Sequence, residues 1–150
     1  MVAILSQETL PGLVGRELGR SSWIDVPQER IDAFAELSGD RQWIHVDTER
    51  ARTGPYGKTI AHGLLTLSSI SLVAKEVFKF EGFKMGVNYG YEKIRFPATV
   101  PVGSRMRVAA KILSFEKVGA TYQTIIELSV EIEGGAKPAC VAQMIFRHTP

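Results

Sequence analysis

Alternation of apolar and polar residues dominates the second half of the chain and predicts β-structure. The pattern switches to a period of two after Gly82 and is clearest in residues 105–112, 122–132 and 140–146. This period places successive side chains on opposite faces of a half-buried strand. Glycine-containing turns at residues 118–120 and 133–135 join the runs as hairpins, so we expect an antiparallel sheet of at least four strands.

In the first half of the chain, apolar residues are spaced as in helices instead. Apolar residues recur at helical intervals between Pro27 and Gly39, and this pattern predicts a helix that starts at the proline and stops at the glycine. A longer apolar segment runs from Ile60 to Phe78 and is interrupted mainly by serine and threonine. Such a composition indicates a helix that other structure surrounds on almost every side. We expect this helix to lie at the centre of the fold.

Three further elements are predicted from weaker patterns. Residues Gln7 to Leu18 suit a short helix broken near Pro11, residues Ser22 to Val26 alternate like a short strand, and Thr48 to Arg52 suit one helical turn. Together the elements predict an α+β architecture, in which an antiparallel sheet curves around one central helix. A length of 150 residues fits one domain spanning 1–150.

Composition and charge narrow the classes of function. A hydrophobic content of 45% and a formal charge of +2 describe a globular protein and disfavour a strongly basic nucleic-acid binder. The single cysteine, Cys140, allows no disulfide within the chain, and the N-terminus lacks the pattern of a secretory signal. The longest uncharged run, Thr59 to Ala74, is shorter than the ~20 residues of a membrane-spanning helix. We therefore expect a cytoplasmic protein with no membrane contact.

Candidate catalytic residues lie between the two predicted helices and at the start of the second. Gly39 ends the first helix and leaves Asp40 on a loop, which also carries His45. A carboxylate and an imidazole suit general acid and base catalysis, provided that the backbone between them is irregular enough for them to converge. Gly63 lies at the start of the central helix, where its backbone N–H can meet a developing negative charge.

Several short motifs together resemble one known family, the MaoC-like (R)-specific enoyl-CoA hydratases of the hot dog fold. They are Ser38-Gly39-Asp40, Ile44-His45 with Asp47, Ile60-Ala61-His62-Gly63, Asn88-Tyr89-Gly90, Arg95-Phe96-Pro97 and Pro101-Val102-Gly103. Gln42-Trp43 stands where many members have Asn-Pro, which is similar to the branch that includes the nodulation protein N-like hydratases. The resemblance covers most of the chain.

This resemblance implies syn addition of water to a trans-2-enoyl thioester, which gives an (R)-3-hydroxyacyl thioester in fatty acid metabolism. Asp40 and His45 then hold and activate one water, take its proton as hydroxide attacks C3, and return a proton at C2. The resemblance also implies a homodimer and requires no metal or redox cofactor. Coenzyme A and acyl carrier protein both remain possible carriers of the acyl group.

Other residues of these motifs are predicted to bind substrate, although each has a structural alternative. The predicted substrate-binding set is Gln42, His62, Ser71, Asn88, Tyr89 and Arg95. Ser71 can hydrogen-bond Asp40 or its own preceding turn, Asn88 can mark a bulge beside Gly90, and the alternating strand cations, such as Arg95, can simply face solvent. His62 suits a structural partner at the helix start, and a metal site would need Asp40, His45, Asp47 and His62 all to converge.

Two other functions remain open on sequence grounds. The same fold hosts acyl-thioester hydrolases, in which water attacks the carbonyl carbon instead of C3. A non-catalytic acyl-binding subunit of a heteromeric dehydratase is the second alternative, and the intact pair of Asp40 and His45 argues against it.

Overall fold

A six-stranded antiparallel sheet forms the body of the protein in the computed structural model, which describes all 150 residues. Its strands are β2 (Glu17–Arg20), β3 (Ile24–Asp25), β5 (Met85–Arg95), β6 (Arg105–Val118), β7 (Thr121–Ile132) and β8 (Cys140–Thr149). Their order is β2-β6-β7-β8-β5, and β3 also pairs with β6. The predicted sheet is therefore confirmed, and β5 lies at its edge.

The hairpin from β6 to β7 shows why the alternating sequence forms this sheet. Val118 pairs with Thr121 across a tight turn, where Gly119 has a φ of 61° that glycine adopts without strain. Along the strand, Met106, Val108 and Ala110 are buried, while the residues between them are exposed or half-buried. One face of the sheet thus packs into the core.

The central helix α5 (Gly63–Val73) packs on that apolar face, against β6, β7 and β8. Leu65, Ile70 and Val73 point into a core cluster of 22 buried residues. The predicted helix from Ile60 to Phe78 is too long, since the chain turns through a short 3₁₀ helix at Ala74–Glu76. A further strand, β4 (Phe78–Phe80), follows this turn.

The expectation that other structure surrounds α5 on almost every side is also wrong within this chain. Leu64 and Leu72 are 61% and 47% exposed, so one stripe of the helix lacks a covering element. Serines lie on both the buried and the exposed side of the helix. Ser69 is buried and its hydroxyl donates to the Leu65 carbonyl, whereas Ser71 is exposed. No helix in the structure is both long enough and apolar enough to cross a membrane.

The N-terminal region differs from the sequence prediction. In place of one broken helix over Gln7 to Leu18, there is a strand β1 (Ala3–Leu5), a single helical turn α1 (Leu10–Leu13), and then β2, which includes Leu18. Tertiary pairing overrides the weak helical pattern here, because β2 gains hydrogen bonds from β6, and β1 pairs in parallel with β4. The predicted strand near Ser22 to Val26 is present as β3.

The remaining helices bring the candidate residues together. Helix α2 (Gln28–Ser38) starts after Pro27 and ends at Gly39, which has a φ of 80° and donates its N–H to the Ala35 carbonyl. This left-handed ending turns the chain sharply out of the helix. Two short helices follow, α3 (Trp43–Val46) and α4 (Thr48–Arg52). The predicted boundaries of α2 and the predicted turn at α4 are confirmed.

Candidate active site

Asp40 lies directly after the left-handed glycine that ends α2, and its side chain is 53% exposed. Its carboxylate Oδ1 accepts the backbone N–H of Gln42 at 3.3 Å, and its own N–H donates to the Ser38 hydroxyl at 3.2 Å. These local bonds hold the carboxylate near the start of α3 while leaving it accessible to a ligand.

His45 lies in the short helix α3, and the prediction that it belongs to a loop is wrong. The residue is only 6% exposed, and its Nδ1 lies 2.7 Å from the Ile60 carbonyl oxygen. Because a carbonyl oxygen can only accept, Nδ1 carries the proton and Nε2 presents a lone pair. This Nε2 lies 4.0 Å from Oδ2 of Asp40, so the short helix achieves the convergence that a continuous helix would prevent.

Gln28 supports the backbone of His45 and was missed by the sequence analysis. Its side-chain amide donates to the His45 carbonyl at 2.8 Å and accepts from the Thr59 hydroxyl at 2.5 Å. The single side chain therefore ties α2, α3 and the segment before α5 together. No spacing or motif signals this role, because a glutamine in the first turn of a helix is common for other reasons.

His62 is the N-cap residue of α5 and contacts both candidate catalytic residues. It is 3% exposed, and its Nε2 lies 2.9 Å from the backbone carbonyl oxygen of Asp40. Its ring stacks on that of His45, with centroids 3.8 Å apart and planes inclined by 24°. The Nδ1 atom of His62 is buried and has no hydrogen-bond partner in the chain.

Gly63 is the first residue of α5, and its backbone N–H has no acceptor in the chain. Unpaired amides and the positive end of the helix dipole make this position favourable for an anion. Gly63 and His45 line the same cavity of about 190 Å³. A Cβ on Gly63 would lie 3.1 Å from ring carbons of Phe96, so a larger residue here would press on that ring and shift it by a few tenths of an ångström.

A second groove, on another side of α5, gathers two of the predicted substrate-binding residues. Ser71 and Asn88 both line this groove, which has a volume of about 400 Å³ and runs between α2, α5 and β5. The Ser71 hydroxyl makes no hydrogen bond to Asp40, and the Asn88 side chain donates to the Tyr91 hydroxyl at 3.2 Å. The register of β5 against β8 shifts between Asn88 and Gly90, which confirms the bulge.

Tyr89 and Arg95 lie outside both cavities on the exposed edge strand β5. The guanidinium of Arg147 stacks 4.2 Å above the ring of Tyr89. Basic residues on other strands form ion pairs with acidic residues. Arg107 Nε, for example, lies 2.7 Å from a carboxylate oxygen of Glu131. Burial raises the pKa of Glu131, but its hydrogen bonds to arginines outweigh this effect and hold that pKa below its usual range. Strands β2, β6 and β7, and not the edge strand β5, therefore carry this ion-pair network.

A metal site is disfavoured by the stacking of the two imidazoles. One potential ligand atom each from Asp40, His45 and His62 lies within 4.8 Å of the others. An imidazole lone pair lies in the plane of its ring, and these two rings are nearly parallel at 3.8 Å. Two such lone pairs do not converge on one ion at the ~2.0–2.1 Å typical of zinc–nitrogen bonds.

Comparisons with known proteins agree with the fold and with the motifs. The model of the MaoC like domain family matches residues 10–132. The chain is 46% identical to 3-hydroxyacyl-thioester dehydratase Z of Mycobacterium tuberculosis over 140 aligned residues. This alignment covers 93% of each protein. It is 42% identical over 144 residues to nodulation protein N of Rhizobium leguminosarum bv. viciae, which covers 94% of this chain and 89% of that protein.

A solved structure extends this agreement to three dimensions. The unliganded R-hydratase PhaJ1 of Pseudomonas aeruginosa superimposes with a TM-score of 0.72, over 91% of this chain and 81% of that one, at 24% sequence identity. The predicted hot dog fold is thereby confirmed, and so is the predicted similarity to the nodulation protein N-like branch.

Proposed function

The chain belongs to the MaoC-like family, and on that premise we propose that it is an (R)-specific enoyl-thioester hydratase, acting reversibly as a 3-hydroxyacyl-thioester dehydratase. The observation that supports this most strongly is the separation of 4.0 Å between Asp40 Oδ2 and His45 Nε2, the ring nitrogen left free when Nδ1 donates to the Ile60 carbonyl. The substrate is a trans-2-enoyl thioester of coenzyme A or of acyl carrier protein. The reaction adds water across the C2–C3 double bond.

The separation of 4.0 Å suits a shared water better than a direct bond. It exceeds the range of 2.7–3.2 Å for a nitrogen–oxygen hydrogen bond, but one water can contact both atoms at about 2.8 Å. His45 and Asp40 then remove a proton from this water as its oxygen bonds to C3, and they return a proton to C2. The sum of these steps is one water added and no net change in the enzyme.

Attack at C3 moves negative charge onto the thioester oxygen, which needs donors already in place. The Gly63 N–H supports this role, because it is unpaired, lies at the positive end of α5 and borders the same cavity as His45. With the oxygen held there and one water held by Asp40 and His45, both new bonds form on one face of the enoyl group. Addition is therefore syn, and the (R) configuration follows the resemblance to the (R)-specific hydratases.

A homodimer accompanies this function in our proposal. The 11-residue strand β5 pairs with β8 on one side only, and its other edge is open. Met85, Val87 and Tyr89 expose apolar surface on this strand, and Leu64 and Leu72 do so on α5. An open edge with exposed apolar side chains invites pairing with a second copy of the same strand.

The hydration reaction can be tested directly with trans-2-enoyl-CoA substrates of increasing chain length. Loss of the enone absorbance without release of free thiol is the expected result. Release of thiol from a saturated acyl-CoA would instead show a hydrolase, since it requires attack at the carbonyl carbon. Binding of acyl-CoA with no loss of absorbance would show a non-catalytic subunit.

A further inference from the structure

The buried imidazole of His62 contacts both members of the proposed catalytic pair. Its Nε2 lies 2.9 Å from the backbone carbonyl of Asp40, and its ring lies 3.8 Å from that of His45. It lines neither the cavity beside Gly63 nor the groove beside Ser71, and it is 3% exposed. A side chain so placed reaches the two catalytic groups but is shielded from a bound thioester.

We propose that His62 is a positioning residue, which fixes Asp40 through a hydrogen bond and His45 through ring stacking. This inference rests on the proposed hydratase function, because that function gives both positioned groups their role. It develops the structural alternative given for His62 from the sequence and differs from the expectation that His62 binds substrate.

The tautomers of the two imidazoles follow from their acceptors. Nε2 of His62 donates to the Asp40 carbonyl, so its proton lies on Nε2 and its Nδ1 is unprotonated and unpaired. Nδ1 of His45 donates to the Ile60 carbonyl, so the proton of His45 lies on Nδ1, whereas that of His62 lies on Nε2. The two stacked rings therefore hold complementary tautomers, with each donor directed at a backbone carbonyl.

The consequence for catalysis is geometric. Asp40 is 53% exposed and its carboxylate accepts only the Gln42 N–H, so its position depends on how its backbone is held. The Nε2–H of His62 anchors the carbonyl of that same residue to the start of α5, where Gly63 begins the helix. One side chain thus links the water-holding pair to the amide that faces the thioester oxygen. A misplacement of about 1 Å in such a group can reduce turnover ~100-fold.

Two substitutions separate the two contacts. His62→Phe keeps a ring against His45 but removes the donor to Asp40, whereas His62→Gln keeps a donor close to the Nε2 position but removes the ring. We expect His62→Phe to lower kcat at least ~10-fold with little change in KM, because catalytic geometry is lost while the cavity is unchanged. His62→Gln should lower kcat less than His62→Phe does, because it keeps the hydrogen bond to Asp40 and loses only the stacking on His45. The matched control is His148→Phe, which changes another buried histidine far along the chain on β8 and should leave both constants unchanged.

Nitrogen-15 NMR of the wild-type imidazoles tests the geometric half of the inference without any variant or assay. We expect His62 protonated on Nε2 and His45 protonated on Nδ1. A proton on Nδ1 of His62 would overturn the inference, and so would a rise in KM at constant kcat in both His62 variants, which would show a substrate contact. Unchanged kcat and KM in both variants would show a purely structural residue. If the wild-type protein has no hydratase activity, the proposed function is refuted instead. The assay of the wild-type protein therefore separates failure of the proposed function from failure of the His62 inference.

Discussion

Nε2 of His45 lies 4.0 Å from Oδ2 of Asp40, with the proton of the imidazole held on the far side of the ring by the Ile60 carbonyl. The arrangement leaves two acceptors that one water can contact at about 2.8 Å from each. Proton abstraction from that water is the chemistry that both side chains share.

Removal of either acceptor should abolish this chemistry. Asp40→Asn and His45→Gln are each expected to lower kcat by ~100-fold to 10,000-fold, the usual contribution of one general acid or base. Hydration of an enoyl-CoA, followed by absorbance, measures the effect. Glu49→Gln removes an exposed carboxylate on the nearby helix α4 and serves as the control. Near-full turnover in either of the first two variants would show that the pair is not catalytic.

A side chain at the start of α5 should disturb the approach of the thioester. In Gly63→Ala, the new Cβ would lie 3.1 Å from the ring of Phe96 and would intrude beside the free amide. We expect kcat/KM to fall by at least ~10-fold, less than the ~100-fold to 1,000-fold observed when an oxyanion donor is removed outright. Gly12→Ala is the matched control, since nothing lies within 4 Å of a Cβ at that position. Equal activity in the two variants would argue against the role of Gly63.

A charge placed on the open edge of β5 should separate the proposed dimer. Val87 is 45% exposed on this edge strand, and we expect Val87→Lys to halve the mass measured by light scattering. Leu37→Lys changes a residue that is 86% exposed on α2 and should leave the mass unchanged. A wild-type protein of monomer mass at all working concentrations would contradict the dimer.

His148 should make stability depend on pH. Its ring packs 3.9 Å from Phe80 and 4.7 Å from Phe83, and burial lowers its pKa below the usual value. As pH falls below the ~6.5 of an unperturbed histidine, the unfolded chain therefore binds a proton before the folded one does, and the free energy of unfolding decreases. We expect Tm to fall on going from about pH 7.5 to about pH 5.5, and to fall less in His148→Phe. The same pH dependence in both proteins would contradict this account.

Local signals explain which parts of the fold were predictable. Pro27 and Gly39 bound α2 because each imposes its own backbone dihedral angles, and the alternation along β6 is a property of consecutive residues. The apolar stretch after Ile60 predicted a helix but not its end. Where the helix stops depends on the pairing of β4 with β1, a strand more than 70 residues earlier in the chain.

Sequence motifs nominate the residues of the candidate site but not the contacts between them. Asp40, His45 and Gly63 follow from motifs that lie close together in sequence. The bonds that orient them join His45 to Ile60 and His62 to Asp40, 15 and 22 residues apart. No periodicity encodes such pairs, because they arise only when α3 and the start of α5 pack together. Gln28 escaped notice for the same reason.

The stereochemistry and metal independence of hydration test the central claim most directly. The wild-type protein is supplied with trans-2-butenoyl-CoA and a chelator, together with NAD and a dehydrogenase specific for (S)-3-hydroxyacyl-CoA. Water added on one face by Asp40 and His45 should consume the enone in the presence of the chelator and yield no NADH, since the product has the (R) configuration. Robust formation of NADH, or loss of hydration on adding the chelator, would contradict the account.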